Sequence, residues 1–182
     1  GLKYTLFRPF NWIGSGLDSL HTQKEGSSRV VTQFLGHIAR GEDIKLVDGG
    51  LQRRSFTDVS DGISALVKII ENKNGIADGK IYNIGNPEND LSIKELANLM
   101  LEMSFNYPEY ESQARNVNIV EVTSADYYGE GYQDIQSRVP FIDNTREELD
   151  WAPLVDVNTA LGKIMDTYRT EVASARALLD QN

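Results

Sequence analysis

Apolar residues along this chain alternate between a spacing typical of strands and a spacing typical of helices. Short apolar runs predict strands over residues 3–9, 44–47, 80–85 and 117–122, with an extended stretch from Ser55 to Val59. Helical spacing predicts helices over residues 27–40, from Ser60 or Asp61, from Ser92, from Asn144 or Thr145 to near Trp151, and from about Asp156. Strands separated by helices predict an α/β fold, in which the strand over 80–85 runs parallel to the opening strand.

Local signals refine three of these elements. The helix that starts at Ser60 or Asp61 is expected to turn Ile63, Leu66, Val67 and Ile70 toward the core. The segment Ser92-Ile93-Lys94-Glu95 is a capping box, since the Ser hydroxyl and the Glu carboxylate can each bond a free helical N–H. The polar stretch over 104–116, with Tyr107-Pro108, predicts an exposed loop.

Composition and charge exclude several function classes. The 182 residues are 40% hydrophobic, enough for one sizeable core with a small second lobe, and no apolar run is long enough to insert in a membrane. A net charge of −9 argues against nucleic-acid binding. The chain has no Cys, which suits a cytoplasmic location, and His21 and His37 lack partners at metal-ligand spacing, so we expect no metal site.

A local group of cations stands out against this acidic background. Gly49-Gly50 allows a close backbone approach, Arg53-Arg54 supplies planar donors for phosphate oxygens, and Lys45 lies a short strand away. By itself this pattern is more typical of a surface hairpin than of a nucleotide site. The Tyr- and Gly-rich stretch over 127–132 similarly fits either contacts to a base or sugar or packing on its own domain.

Two further polar residues are candidates because of their place in the chain. Asn11 follows the strand that ends at Pro9, and α/β enzymes bind ligands at the carboxyl ends of strands. Arg138 lies beside the tyrosine-rich stretch, where it would pair either with a substrate carboxylate or with a structural partner. No GxGxxG, GxxxxGK[ST] or Tyr-x-x-x-Lys motif occurs, so no cofactor-binding site is identified in this chain.

Taken together, several segments resemble the C-terminal part of the extended short-chain dehydrogenase/reductases that act on sugar nucleotides. The resemblance is closer to the UDP-glucuronic acid decarboxylase domains of bifunctional polymyxin-resistance proteins. The segments that carry it lie over 6–14, 45–50, 55–62, 82–89, 127–134 and 149–153. It implies a Rossmann-like α/β fold with a small mixed α/β substrate lobe, and oxidation and decarboxylation of UDP-glucuronic acid with NAD, giving a UDP-4-keto-pentose for lipid A modification.

The resemblance also implies an organisation for the chain. Residues 1–10 and 55–86 would pack with an N-terminal NAD-binding Rossmann half that is not in this chain, and residues 11–54 and 87–170 would form the substrate lobe. NAD would be bound mainly by that other half. The partners implied are the UDP-sugar, the Rossmann half and, as an open question, a second copy of the chain. By itself the chain is expected to be inactive.

The same resemblance assigns roles to individual residues. Arg138 matches the residue assigned as the proton donor, although electrostatic stabilisation is the role that suits a guanidinium. Substrate contacts are implied for Asn11, Arg29, Lys45, Leu46, Val47, Asp48, Gly49, Gly50, Leu51, Gln52, Arg53, Arg54 and Tyr132. One departure is Ser15-Gly16, where the family usually has Pro-Arg. Other epimerases, dehydratases or UDP-xylose synthases, and a non-catalytic nucleotide-sugar-binding module, remain as alternatives.

Overall fold

The computed structural model describes residues 1–20, 29–129, 131 and 134–177. Within them the chain forms two compact units. Unit 1 comprises Gly1–Gly14, Arg53–Leu91 and Ser137–Ala160, and unit 2 comprises Ser15–Gln52, Ser92–Gln136 and Leu161–Asn182.

Strands and helices alternate as the sequence predicts. The strands are β1 (Leu6–Pro9), β2 (Trp12–Ile13), β3 (Ile44–Val47), β4 (Arg53–Ser55), β5 (Thr57–Asp58), β6 (Ile81–Ile84), β7 (Asp90–Ser92), β8 (Ile119–Val122) and β9 (Ser137–Arg138). The helices are α1 (Val30–Arg40), α2 (Val59–Glu71), α3 (Ile93–Ser104), α4 (Pro108–Ala114), α5 (Ser124–Tyr128), α6 (Asp143–Leu149), α7 (Val157–Tyr168) and α8 (Val172–Ala177). None of these helices has the length and apolar character needed to cross a membrane.

Unit 1 is built around the parallel pair β1 and β6, which confirms the predicted pairing of the opening strand with residues 80–85. Tyr82 and Ile84 on β6 are fully buried and pack with Trp151 and Leu149 in one apolar cluster. Helix α6 is tied to β6 because Thr145 Oγ1 donates to Asn83 O at 2.9 Å. Residues 137–160 belong to unit 1.

A second, three-stranded sheet in unit 1 has the order β7-β4-β9. Strands β4 and β9 are parallel, with Arg53 opposite Ser137 and Arg54 opposite Arg138. Separately, β2 pairs in parallel with β5. This arrangement brings residues 53–54 and 138, which are far apart in the sequence, onto neighbouring strands.

Helix α1 lies at the centre of unit 2 and is buried along most of its length from Val31 to Arg40. Strands β3 and β8 form a parallel pair, and Ile44 and Leu46 of β3 are buried. Buried hydroxyl groups tie helices together, as where Tyr110 on α4 donates to Met165 O on α7 at 2.9 Å.

The predicted core face of α2 is confirmed for Leu66, which packs against the apolar cluster of unit 1, and is wrong for the other three residues. Ile63, Val67 and Ile70 are 53%, 48% and 81% exposed, while Ala65 faces the core. These three residues form an apolar stripe along one face of the helix, and the other described residues leave about half or more of each side chain exposed. The N-cap also differs, because the Asp58 carboxylate accepts from Ser60 N and starts the helix before Ser60 or Asp61.

The loop predicted over 104–116 is also wrong, since helix α4 runs through it. Pro108 occupies the first turn of α4, where the missing N–H of proline costs nothing. By contrast, the capping box at Ser92 is confirmed, with Ser92 Oγ accepting from Glu95 N and Glu95 Oε2 accepting from Ser92 N.

Candidate functional site

Arg54 and Arg138 stand side by side on the sheet formed by β4 and β9. They are Cα partners in the parallel register, so their side chains project from the same face of strands about 4.8 Å apart. Arg54 is half-buried and its Nη1 donates to Arg53 O at 2.8 Å. Arg138 is exposed, and no hydrogen bond or ion pair to another described residue engages its guanidinium. Two neighbouring like charges on one face form an attractive site for an anion.

Arg53, although adjacent in sequence, has a structural role in this arrangement. Its Nε donates to Asp90 Oδ2 at 2.8 Å and its Nη2 donates to Asp90 O at 2.9 Å. This pair of bonds ties β4 to β7 and holds the strand that presents Arg54. The sequence interpretation groups Arg53 with Arg54, yet the alternation of a strand directs the two side chains to opposite faces. The signal in the sequence was the acidic Asp90 directly after the segment Gly85 to Asn89, which could have been identified as a partner for Arg53.

Asn11 lies in a left-handed turn just after β1, with φ of 39°. Asparagine tolerates this conformation better than most residues do. Its side-chain Nδ2 donates to Ser55 O at 3.1 Å, and its backbone carbonyl accepts from Thr57 N at 3.2 Å. Since Ser55 directly follows Arg54, these bonds place Asn11 beside the end of β4 that carries the paired arginines.

In unit 2, the predicted nucleotide-binding segment forms a strand followed by a sharp turn. Asp48, Gly49 and Gly50 all have positive φ values, of 48°, 75° and 65°. The Asp48 carboxylate accepts from Ser124 N at 2.9 Å, which fixes the turn to the start of α5. A Cβ on Gly50 would lie 3.1 Å from Lys94 N and 3.2 Å from the Leu46 side chain, so glycine is needed there for close packing.

Side chains of this segment divide between the core and the surface. Leu46 is 1% exposed and packs inward, whereas Lys45 and Leu51 are exposed. Val47 is half-buried, and Gln52 O accepts from Ile93 N at 3.1 Å at the start of α3. In the segment over 45–52, Lys45 and Leu51 therefore lie at the surface, while the buried Leu46 packs beneath the turn at Gly50.

Arg29 lies just before α1 and is half exposed at its side chain, at 52%. Its guanidinium forms an ion pair with Asp18, with Nη1 and Oδ1 3.1 Å apart. Tyr132 lies outside the described residues. Of the tyrosine-rich stretch, Tyr127 is held in place by Gln33, whose Nε2 donates to the Tyr127 hydroxyl at 2.9 Å.

Two arrangements commonly hold a dinucleotide or a metal ion, and neither is present among the described residues. None of the described strands passes through a glycine turn directly into a helix, which is the arrangement that cradles a pyrophosphate. Gly85, at the end of β6, is filled by protein instead, since a Cβ there would lie 2.7 Å from Pro140 Cγ and 2.9 Å from Phe10 Cβ. Over the same residues, no group of three or more His, Asp or Glu side chains could hold a metal.

Comparison with solved structures gives matches along nearly the whole chain. The chain is 60% identical to PbgP3 protein from Burkholderia pseudomallei, with a TM-score of 0.81 over 98% of this chain and 49% of that one. It is 23% identical to UDP-glucose 4-epimerase from Thermotoga maritima, solved with UDP-glucose, with a TM-score of 0.73 over 94% of this chain and 47% of that one.

A third similar structure is UDP-glucuronic acid 4-epimerase from Bacillus cereus, solved with UDP-glucuronic acid and NAD. It is 18% identical, with a TM-score of 0.67 over 92% of this chain and 45% of that one. At these low identities the two epimerases show the fold alone. The chain spans about half the length of each of these three structures.

The family assignment rests on the first part of the chain and on the fold of the rest. Residues 1–85 match the NAD dependent epimerase/dehydratase family. The mixed α/β architecture with parallel strand pairs agrees with the Rossmann-like fold of its solved relatives. Residues 1–85 of this chain thus match the NAD dependent epimerase/dehydratase family, and the fold of the chain is similar to that of PbgP3 protein.

Proposed function

We propose that this chain is the substrate-binding half of an NAD-dependent enzyme that oxidatively decarboxylates UDP-glucuronic acid to a UDP-4-keto-pentose. Its motifs resemble those of the decarboxylase domain of ArnA, on the route to the 4-amino-4-deoxy-L-arabinose that modifies lipid A in polymyxin resistance. The observation that carries the proposal is the register of Arg54 and Arg138 on one face of unit 1.

Charge supports an anionic substrate at this face. The chain carries a net charge of −9, so two adjacent arginines are a local exception that attracts an anion selectively. UDP-glucuronic acid carries a diphosphate and a carboxylate, which together require more than one cation. An epimerase leaves the carboxylate attached to the sugar, whereas a decarboxylase must bind the carboxylate that is released as CO₂.

Arg138 can act on the step that breaks the carbon–carbon bond. Once C4 of the sugar is a ketone, the C5–C6 bond breaks, CO₂ leaves, and the electron pair moves into an enolate whose charge lies on the C4 oxygen. A proton then adds at C5. Arginine stays protonated in proteins, so its contribution here is to stabilise first the carboxylate and then the enolate. Only stabilisation of the enolate accelerates the reaction, because the enolate resembles the transition state and the carboxylate is the ground state.

Oxidation at C4 is not assigned to residues of this chain, because the described residues form no dinucleotide cradle. We propose that a Rossmann half supplies that site and packs on unit 1. Exposed apolar side chains on β1 and β6 support this partner: Leu6, Phe7 and Ile81 are 53%, 44% and 44% exposed. A strand pair with such a surface is expected to pair and pack with further elements. The chain alone should release no CO₂.

The experiment is turnover of UDP-glucuronic acid with NAD by the complete protein. The proposal predicts one CO₂ and one NADH for each substrate consumed. Formation of CO₂ without net NADH would instead indicate a UDP-xylose synthase. Conversion to UDP-galacturonic acid without CO₂ would indicate an epimerase, and binding without any product would indicate a non-catalytic module.

The role of Arg138 is tested by Arg138→Lys in the same protein. Lysine keeps the charge but loses the planar fork, and removing one preorganised donor typically lowers kcat by about 100-fold or more. Arg115→Lys is a matched control, because Arg115 is exposed on unit 2, where it pairs with Glu111 and lies over the Phe105 ring. Wild-type kcat in Arg138→Lys would remove Arg138 from the chemistry.

A further inference from the structure

Arg29 is held by a single carboxylate in unit 2. Asp18 Oδ1 accepts from Arg29 Nη1 at 3.1 Å, and Asp18 Oδ2 accepts from the Arg29 backbone N at 3.1 Å. Arg29 Nη1 also donates to Leu17 O at 3.2 Å. The side chain of Asp18 is only 17% exposed, whereas that of Arg29 is 52% exposed. The carboxylate is therefore a fixed anchor beneath an exposed guanidinium.

Asp18 is in turn held by a tyrosine on α7. The hydroxyl of Tyr168 donates to Asp18 O at 2.6 Å and accepts from Gly16 N at 2.9 Å. Tyr168 is 2% exposed, so this hydroxyl has a well-defined position in the core of unit 2. Gly16 adopts the left-handed conformation, with φ of 77°, that turns its N–H toward the tyrosine. One buried hydroxyl thus fixes the backbone on both sides of Leu17.

The contacts of Arg29 leave one edge of the guanidinium available. They engage Nη1 alone, and no bond to another described residue engages Nε or Nη2. The Nε–Nη2 edge is one of the two edges with which arginine binds a carboxylate or phosphate through paired hydrogen bonds. Such binding is strengthened when the side chain is already ordered, because less rotamer freedom is lost.

We propose that Asp18 and Tyr168 are positioning residues for Arg29, which they orient so that its Nε–Nη2 edge receives an anionic group of the sugar nucleotide. This inference rests on the proposed function, since it takes Arg29 as a substrate contact. It adds two residues, from separate parts of unit 2, whose side chains act on the substrate only through Arg29.

The test is a double-mutant cycle in the complete protein, measured as the Kd for UDP-glucuronic acid by calorimetry and as kcat and KM. Asp18→Asn and Tyr168→Phe remove the anchor and its support, and Arg29→Ala removes the group that they position. Tyr110→Phe is the matched control, because Tyr110 is another fully buried tyrosine of unit 2 whose hydroxyl donates to a backbone carbonyl.

We expect Asp18→Asn and Tyr168→Phe to raise Kd and KM by about fivefold, as for the loss of a partly exposed ion pair, with kcat little changed. In the Arg29→Ala background neither change should have a further effect. Tyr110→Phe should lower stability and leave Kd unchanged. Three results would each overturn the inference. The effects of Asp18→Asn or Tyr168→Phe on Kd could add to that of Arg29→Ala, Tyr168→Phe and Tyr110→Phe could give equal Kd values, or Arg29→Ala could leave Kd unchanged.

The Kd measurement also separates this inference from the proposed function. If the wild-type protein binds UDP-glucuronic acid but releases no CO₂, the proposed reaction is wrong and the cycle still decides the positioning role. If CO₂ is released and the cycle is additive, only the positioning role is wrong.

Discussion

The two units differ in how completely they bury their apolar residues. In unit 2, helix α1 is buried on nearly all sides, and Leu35 and Ile38 have no exposed surface. In unit 1, helix α2 leaves Ile63, Val67 and Ile70 exposed, spaced four and three residues apart along one helical face. An apolar stripe with this period is the usual sign of a packed helix.

This difference indicates that unit 2 has a self-contained core and that unit 1 presents surface suited to a further partner. Sequence periodicity alone treats the two helices alike, because it detects a stripe and not what covers it. Contiguous exposed apolar surface on a soluble protein commonly marks an interaction site. We propose that the Rossmann half covers the stripe of α2 together with the exposed side chains of β1 and β6.

The largest expected effect comes from the same substitution in the two helices. Ile38→Ala in α1 should lower the free energy of unfolding of the chain by about 2–5 kcal/mol, because it opens a cavity in a closed core. Ile70→Ala in α2, at a site 81% exposed, should change it by less than about 0.5 kcal/mol. Urea unfolding at low protein concentration measures both.

The complete protein sharpens this comparison. There, Ile70→Ala should become destabilising if another half covers the stripe, since the side chain would then be buried. An equally small effect in the chain and in the complete protein would contradict the proposed packing surface.

Two glycines provide a second matched comparison. A Cβ at Gly62 in α2 would lie 2.7 Å from Cε2 and Cζ2 of the Trp12 ring, whereas a Cβ at Gly162 in α7 would meet nothing closer than 3.9 Å. Gly62→Ala should destabilise by about 1–3 kcal/mol, because Trp12 must move. Gly162→Ala should stabilise by about 0.5–1 kcal/mol through helix propensity. Thermal or urea unfolding measures the change in the free energy of unfolding for each variant. Equal changes for Gly62→Ala and Gly162→Ala would contradict the close contact of Gly62 with Trp12.

A smaller effect is expected from pH, at the contact of α6 with β6 in unit 1. Glu148 accepts from Lys80 Nζ and from the Tyr82 hydroxyl, both at 2.8 Å. The hydrogen bond from Lys80, followed by that from Tyr82, holds the pKa of Glu148 below its ordinary value of 4.5. Because the folded-state pKa is the lower one, the stabilisation is fully present above the unfolded-state pKa. It is lost as pH falls through the folded-state value.

The variant Glu148→Gln should therefore be less stable than the wild type near pH 6, and the difference should shrink as pH falls below about 4.5. Glu147→Gln is the control, since Glu147 is exposed and makes no hydrogen bond or ion pair to another described residue. A difference for Glu148→Gln that stays constant from pH 6 to pH 3 would show that this carboxylate does not titrate as described.

Local features of the fold could be predicted from the sequence where short-range chemistry determines them. The capping box at Ser92 and the parallel pairing of β1 with β6 are confirmed. The helix at Pro108 was missed because polar composition suggests a loop, while the buried hydroxyl contact of Tyr110 depends on tertiary structure. The exposure of α2 depends on what covers the helix, which periodicity does not show.

For the candidate site, the sequence identified residue types but not their relations. Arg54 and Arg138 are 84 positions apart in the sequence, and only the register of β4 with β9 shows that they are neighbours. The commitment of Arg53 to Asp90, and the chain of contacts from Tyr168 through Asp18 to Arg29, likewise require three-dimensional contacts. No local pattern in the sequence reports such pairings.

The most direct test of the central claim is whether Arg138 makes unit 1 selective for the carboxylate of the sugar. Calorimetric titration of the complete protein should show UDP-glucuronic acid binding about tenfold or more tightly than UDP-glucose, as expected for a charge-assisted hydrogen bond. In Arg138→Gln, which removes the charge at an exposed position, that preference should fall to near equality. An unchanged preference in Arg138→Gln would contradict the account.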